Sequence, residues 1–458
     1  MAMLFNPNPS NIYESLEVIN GLHKEQSITV EKLNSPIDKI VANLSKDENK
    51  GFILKFEAPN YYHLDLGDID SVTIVTEKHT FYLENIFINS IAPPNITGSI
   101  SSIQTKDFNK QTNYYYRLFI PLRKKISFYS FIECYSSERL QIKYDNLELN
   151  LYKFNDKEKG LDYLILDSST SLPFEQFSQC CFGGLVSLGY ITGILPQDEG
   201  YFFAFENSNM TDSKHIYYTE FRNSMYSMYS PIYTNAHGYI RDIKTARDIQ
   251  PTLRTLTLEE FSKLCQRTKD SVEFSAILLL IIEATTSSLL IMPSGLSVAL
   301  EGMADLMLKK NEEKVAPIKD KTLATKIRDE LKNIINNYSQ NIEKEGIQIL
   351  KNKIENINQL TNRSKLSKPF ELLNFYLTAE DIRAIEHRND FLHGRITLTS
   401  GNETDTNKEI YYIALRLYTL LAVLILKSVG YDNKIVNYPK IHESVYKKKL
   451  DEEYFRKV

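Results

Sequence analysis

Residues 247–266 read RDIQPTLRTLTLEEFSKLCQ, and the chain changes character inside them. Pro251 breaks the preceding pattern. Thr257-Leu258-Glu259-Glu260 then has the Thr-x-x-Glu form of a capping box, in which the first hydroxyl and the last carboxylate each accept the other's backbone N–H at a helix start. Phe261 to Gln266 follows with helical spacing. Reading outward from this point gives two halves of different periodicity.

Upstream lie short aromatic and β-branched runs, among them Phe52–Phe56, Ser71–Val75, Tyr114–Leu122, Ile126–Ile132 and Leu147–Phe154. Leu147-Glu148-Leu149-Asn150-Leu151-Tyr152 alternates apolar and polar residues, as a strand with one wet face does. Asn, Asp, Gly and Pro clusters separate the runs, as turns do. Residues 1–246 therefore predict a mainly antiparallel β domain, with one helix at 173–190. Downstream, residues 257–458 predict an all-α domain, with helices at 274–292, 297–310, 323–338, 347–360, 379–393 and 409–429. The expected fold class is α+β, multidomain. A length of 458 residues is also too great for one ordinary core.

Composition narrows the functional classes. The chain is 42% hydrophobic and 24% charged, the balance of a soluble globular protein. Its net charge of −4 rules out a polycation, so nucleic-acid contact has to come from a local patch. Between Lys309 and Lys368 stand fourteen Lys and Arg against eight Asp and Glu, a surplus of six that leaves −10 for the rest (−4 minus +6). That stretch is either a solvated helical hairpin or a phosphate-attracting surface.

The four cysteines, Cys134, Cys180, Cys181 and Cys265, have no disulfide-framework spacing, and the N-terminus lacks a signal-peptide pattern. A cytoplasmic protein is expected. The apolar stretches 275–292 and 413–429 carry Glu283, and Arg416 with Lys427, so they read as core helices rather than membrane spans.

The stretch that carries chemistry is Thr378–Gly394, TAEDIRAIEHRNDFLHG. Thr378 suits an N-cap, acidic residues fill the first turn, and Gly394 sits where a helix would stop. Ile382, Ile385, Asn389 and Leu392 fall on one stripe, so Asn389 places an amide on an apolar face and calls for a polar site or interface. His393 lies one turn beyond Asn389. Arg388 precedes His393 by five residues, about 140° round an ideal helix. The pair can still work together if Arg388 reaches round, or if two copies of the helix meet across a twofold axis. Alternatively, a cationic His before a capping Gly has a purely structural use at the negative end of a helix.

The string Arg388-Asn389-Asp390-Phe391-Leu392-His393-Gly394, late in a helical region, resembles the Arg-x4–6-His signature of HEPN ribonucleases. With the β-rich half before it, the chain is similar to the ApeA-like HEPN proteins of bacterial anti-phage defence. The resemblance implies a metal-independent endoribonuclease without cofactor, dimeric through the helical domain, with both motifs at the subunit interface. It implies Arg388 and His393 as the catalytic pair and Asn389 as the supporting polar residue, with Asp390 and Arg395 nearby. HEPN toxins under a nucleotidyltransferase antitoxin often carry Tyr two positions after the His. Here that position is Arg395, which argues against control by modification of such a Tyr.

The side chains suit the reaction. RNA brings its own nucleophile, the 2′-hydroxyl, so the protein has to move protons and stabilise phosphorane-like charge. A histidine with an ordinary pKa of ~6.5 does the first, and an arginine fork does the second. The product would carry a 2′,3′-cyclic phosphate, and the substrate would be host or phage RNA, tRNA among the candidates. The β-rich half would sense a phage-derived trigger or restrain the helical half. The alternative is a non-catalytic module that dimerises and holds RNA or a protein.

Glu301, in an apolar helix, either orients Arg388 or is a boundary carboxylate. No metal-binding pattern, phosphate loop or nucleophile elbow occurs in the sequence. Tyr114-Tyr115-Tyr116-Arg117 could stack bases, but sheet packing is the expected role.

Overall fold

A computed structural model of the chain describes residues 9–30, 40–47, 51–57, 72–75, 80–92, 95–135, 138–145, 147–392 and 403–458. The architecture is α+β, an antiparallel sheet region followed by a helical region. The chain divides into two compact units, Met1–Tyr226 with Leu256–Asp270, and Ser227–Thr255 with Ser271–Val458.

The sheet unit begins with helix α1 (Pro9–His23) and strands β1 (Gln26–Val30), β2 (Ile40–Asp47), β3 (Gly51–Glu57), β4 (Val72–Val75), β5 (Thr80–Ala92) and β6 (Asn95–Thr105). It continues with β7 (Tyr115–Leu122), β8 (Leu140–Tyr144), β9 (Leu147–Asp156), β10 (Leu161–Ser168), helix α2 (Phe174–Thr192), β11 (Ile194–Leu195), β12 (Glu199–Phe205), β13 (His215–Glu220) and β14 (Met225–Tyr226). Twelve strands form one antiparallel sheet in the order β1-β2-β3-β6-β13-β12-β7-β10-β9-β8, with β4 and β5 on a branch. The branch arises at β6, which is long enough to carry two partners on one edge. One edge of β6 pairs with β5, while the other pairs with β3 and then with β13.

Both faces of the sheet are covered, because successive strand residues point to opposite sides. Ile12, Leu16 and Ile19 of α1, spaced four and three apart, join Leu54, Ile165 and Tyr201 in one core. On α2, Phe177 stacks on Tyr116 at 5.1 Å between centroids. The expected helix at 173–190 is thus present as α2, whereas α1 falls in a stretch where only strands were expected. Tyr116 and Arg117 are buried, and Arg117 makes a two-bond fork with Asp167 at 2.8 and 2.9 Å. Their role is packing, not base stacking.

The capping box at Thr257 is formed. Thr257 N–H donates to Glu260 Oε2 at 2.9 Å, and Glu260 N–H donates to Thr257 Oγ1 at 3.2 Å. The intervening α3 (Ile243–Ile249) belongs to the helical unit, and the capping box starts α4 (Leu258–Asp270). Here the structure departs from a single division between 246 and 257. Helix α4 packs on α2 and β8, with Ser262 Oγ accepting from Lys143 N–H at 3.0 Å and Ser187 Oγ 3.0 Å from Thr268 Oγ1. Gly183 permits this approach, since a Cβ there would lie 2.8 Å from the Cys265 carbonyl oxygen. Conversely, residues 227–255 are held by the helical unit. The Tyr438 hydroxyl accepts from Ser230 N–H at 2.8 Å and lies 3.0 Å from the Tyr239 hydroxyl.

The helical unit continues with α5 (Val272–Thr286), α6 (Met292–Lys309), α7 (Glu312–Val315), α8 (Lys321–Asn337), α9 (Lys344–Glu355), α10 (Asn362–Leu372), α11 (Ala379–Leu392), α12 (Glu403–Lys427), α13 (Tyr438–Ile441) and α14 (Glu443–Tyr446). A two-stranded ribbon, β15 (Lys434–Val436) with β16 (Phe455–Lys457), is added near the C-terminus. The helix expected at 274–292 ends earlier, at Thr286, because the Thr and Ser cluster ends α5, and the helix expected at 297–310 starts earlier, at Met292, as α6. Ser287 Oγ bonds back to the Ala284 carbonyl at 2.7 Å, and the chain turns before α6. Helix α12 is the core of the unit and packs against α6, α11, α13 and α14. It is long and apolar enough to cross a membrane, yet 89% of that apolar window is buried inside the protein. Helices α8 and α9 pack together and bury one residue each, Ala324 and Ile354, so the basic surplus of this stretch stands largely on exposed helix.

Candidate functional site

The motif helix, α11, starts as the sequence suggests. Thr378 N–H donates to Asp381 Oδ2 at 2.9 Å, and Asp381 N–H donates to Thr378 Oγ1 at 3.2 Å. This is a capping box with Asp in place of Glu, and it satisfies two backbone donors that the first turn would otherwise leave open.

Asp381 does more than cap. It is fully buried, and Arg456 forks onto it with bonds of 2.9 and 2.5 Å, while Arg416 Nη1 lies 3.4 Å from Oδ1. Arg416 is itself forked onto Glu452 at 2.9 and 2.7 Å and donates to the Tyr412 hydroxyl at 2.9 Å. Tyr412 donates in turn to Glu380, which also receives Lys448 at 3.0 Å. Burial alone would raise the Asp381 pKa. The bonds and charge of Arg456, with the charge of Arg416, outweigh it and hold the carboxyl below its ordinary value. The network clamps the first turn of α11 to α12 and to the C-terminal residues.

Two turns further on, Arg388 is buried at 4% exposure and pairs through Nη1 with Glu301 of α6. The Glu301 side chain is 43% exposed, so the pair runs from the interior to the surface. Arg388 Nε meets no acceptor among the described residues. Of the two readings of Glu301, its position supports an orienting partner for Arg388. One turn along α6, Asp305 pairs with Lys365 of α10 at 2.7 Å. The α6 surface thus offers two carboxylates in succession, each holding a cation from a neighbouring helix.

Asn389 and Asp390 lie on the last turn of α11, and their side chains fall outside the described residues. His393, Gly394 and Arg395 also lie outside them. Among the described residues no group of three His, Cys, Asp or Glu side chains is placed to hold a metal ion.

A cleft of about 270 Å³ opens beside α11, between it and α10. The apolar side chains of Phe375, Leu377, Ile382 and Ile385 line it together with Arg363, Ser367, Glu371 and Tyr376. Arg363 is paired with Glu386 at 3.1 Å.

The sequence reading missed Arg416, Arg456 and Glu452 as supports of the motif helix. The available signal was a lone Arg416 inside an apolar run, which a core tolerates only with partners. No family model, no curated protein and no solved structure matches the chain.

Proposed function

We propose that this chain is a metal-independent endoribonuclease of the HEPN kind, acting in the cytoplasm as an anti-phage effector. The observation that supports it best is Arg388. A guanidinium held almost out of water needs a counter-charge, and here that charge comes from a half-exposed carboxylate rather than a buried one. Arg117, by contrast, forks onto a carboxylate as buried as itself, as a structural arginine does. Glu301 takes Nη1 alone, and the buried Nε has no acceptor among the described residues, so the guanidinium keeps donors for a phosphate that reaches it five residues before His393 in the chain.

In this reading His393 moves the proton of the ribose 2′-hydroxyl or of the leaving oxygen. Arg388 balances charge on the phosphorus oxygens, and the product carries a 2′,3′-cyclic phosphate. Asn389 supports the pair, with Asp390 and Arg395 flanking it. A second copy of the helical unit supplies the symmetry-related pair, and the sheet unit senses the phage-derived trigger.

Burial of Arg388 also favours a second reading, a non-catalytic module in which the ion pair with Glu301 is structural. One comparison separates the two. Wild type, Arg388→Ala and His393→Ala are expressed during phage challenge, and RNA ends are sequenced with selection for 2′,3′-cyclic phosphates. The expected result is new cyclic-phosphate ends with wild type and a loss of at least about 100-fold in both variants. Equal end profiles in all three would leave the binding module.

A further inference from the structure

We propose that the cleft between α10 and α11 is a base-binding subsite for single-stranded RNA, with Tyr376 as the stacking platform and Arg363 as the adjacent phosphate contact. This rests on the ribonuclease reading and deepens it, by placing a nucleotide of the substrate beside the motif helix.

The argument starts from the turn that presents Tyr376. Helix α10 ends at Leu372, and Asn374 adopts φ 53°, the left-handed conformation that asparagine tolerates better than most residues. Phe375 N–H returns to the Phe370 carbonyl at 2.8 Å, closing the helix end. Phe375 then turns inward, where it packs on Phe370 at 5.9 Å and lies 4.6 Å beneath the Arg456 guanidinium. Arg456 is already fixed by its fork onto Asp381. Tyr376 is therefore held on a firmly anchored turn, yet it is 91% exposed. Its ring stands in water at the cleft and adds almost nothing to packing within this unit.

The surroundings select the occupant. Four of the lining side chains are apolar, Arg363 adds a planar guanidinium, and the Glu371 carboxylate in the lining is held by Lys368 at 2.6 Å. The Arg363–Glu386 pair is exposed on both sides, as is Lys365–Asp305. Exposed pairs of this kind are weak and screened by salt, so the Arg363 fork can share its donors between Glu386 and a phosphate. Bases of unpaired RNA stack on aromatic rings irrespective of sequence, and arginine takes the neighbouring phosphate.

Position ties the cleft to the reaction. Ile382 and Ile385 of α11 form part of its lining, and Arg388 follows Ile385 by three residues, about 4.5 Å along the helix axis. A base in the cleft lies beside the stretch of α11 that carries Arg388.

The test uses the full chain with His393→Ala as background, and a fluorescein-labelled mixed-sequence 12-nucleotide RNA read by anisotropy. Tyr376→Ala is expected to weaken binding by about five- to a hundredfold, and Tyr376→Phe to stay within about twofold of the parent. Arg363→Ala is expected to lower the salt slope of log Kd by about 0.7, one phosphate on a single strand. Unchanged RNA affinity in Tyr376→Ala, with native circular dichroism, overturns the subsite. So does a change of oligomeric state in that variant without a change in RNA affinity, since the occupant is then protein. The parent reading is scored separately, by the cyclic-phosphate ends lost in Arg388→Ala and His393→Ala. Loss of those ends beside unchanged Tyr376→Ala binding sinks the subsite alone, and weakened Tyr376→Ala binding without such ends sinks the ribonuclease alone.

Discussion

Asp381→Asn isolates the charge at the foot of the motif helix without changing side-chain size. Asparagine can still accept the Thr378 N–H bond, so the cap is largely retained. What is lost is the negative partner of the two-bond Arg456 fork and of Arg416, which is fully buried. Removing one partner of a buried ion pair costs about 3–5 kcal/mol. Arg456 keeps slight access to water, and Arg416 keeps its fork onto Glu452, so the lower end, about 3 kcal/mol, is expected here. The helical unit holds 29 residues in Ser227–Thr255 and 188 in Ser271–Val458, 217 together. For a unit of that size about 3 kcal/mol lowers Tm by roughly 6–12 °C.

The assay is thermal denaturation followed at 222 nm, which weights the helical unit. The Asp381→Asn, Arg456→Met double variant completes a cycle and should show a coupling of about 1–3 kcal/mol. The pH dependence has a definite sign. The Asp381 carboxyl sits below its ordinary value of 3.8 in the fold, so its contribution is complete above that pH and is lost as pH falls through the folded value. The gap between wild type and Asp381→Asn should therefore be constant from pH 5 to 8 and close below about pH 4. A Tm change under 2 °C at pH 7, with coupling near zero, would refute the account of the clamp.

Three further outcomes are expected. Glu301→Ala strands a buried guanidinium and should cost about 2 kcal/mol in urea denaturation, whereas Arg388→Met leaves a half-exposed carboxylate in water and should cost under about 1 kcal/mol. Gly183→Ala forces a methyl to within 2.8 Å of a backbone oxygen, so α2 and α4 must separate, at about 1–3 kcal/mol by the same assay. His23, whose Nε2 lies 2.7 Å from the Tyr201 hydroxyl, is pushed by burial down to about 4 against the opposing pull of Glu199. It is neutral in the fold. Stability is therefore lost as pH drops from about 6.5 towards 4, and wild type should lose about 2 kcal/mol more across that window than His23→Gln.

What the sequence disclosed was local. The capping box at Thr257 and the N-cap at Thr378 bind within four residues, so local spacing reveals them. The amphipathic stripe of α1 was equally local, but the strand-rich composition around it dominated the reading. The clamp on α11 was not legible, because its bonds join residues 35 and 75 positions apart in the chain. Helix α4 illustrates the same limit. Its start was evident from Thr257 and Glu260, yet nothing local says that it packs beneath a sheet completed by residue 226 rather than with the helices that follow. Glu301 could be suspected as a carboxylate on an apolar helix, but only tertiary packing sets it on Arg388.

The backbone passes between the two units three times, after residues 226, 255 and 270. On a ribosome the sheet unit lacks part of its cover when its last strand emerges, since the helix that packs on α2 and β8 is still about 30 residues away in synthesis (258 minus 226). Meanwhile residues 227–255 wait for Tyr438, close to the far end of the chain. A gene fragment cut anywhere between the two recognisable halves would thus release a sheet without its α4 cover and a bundle without its stapled arm. Each half, expressed as a block, would lack packing that the other's stretch of chain supplies.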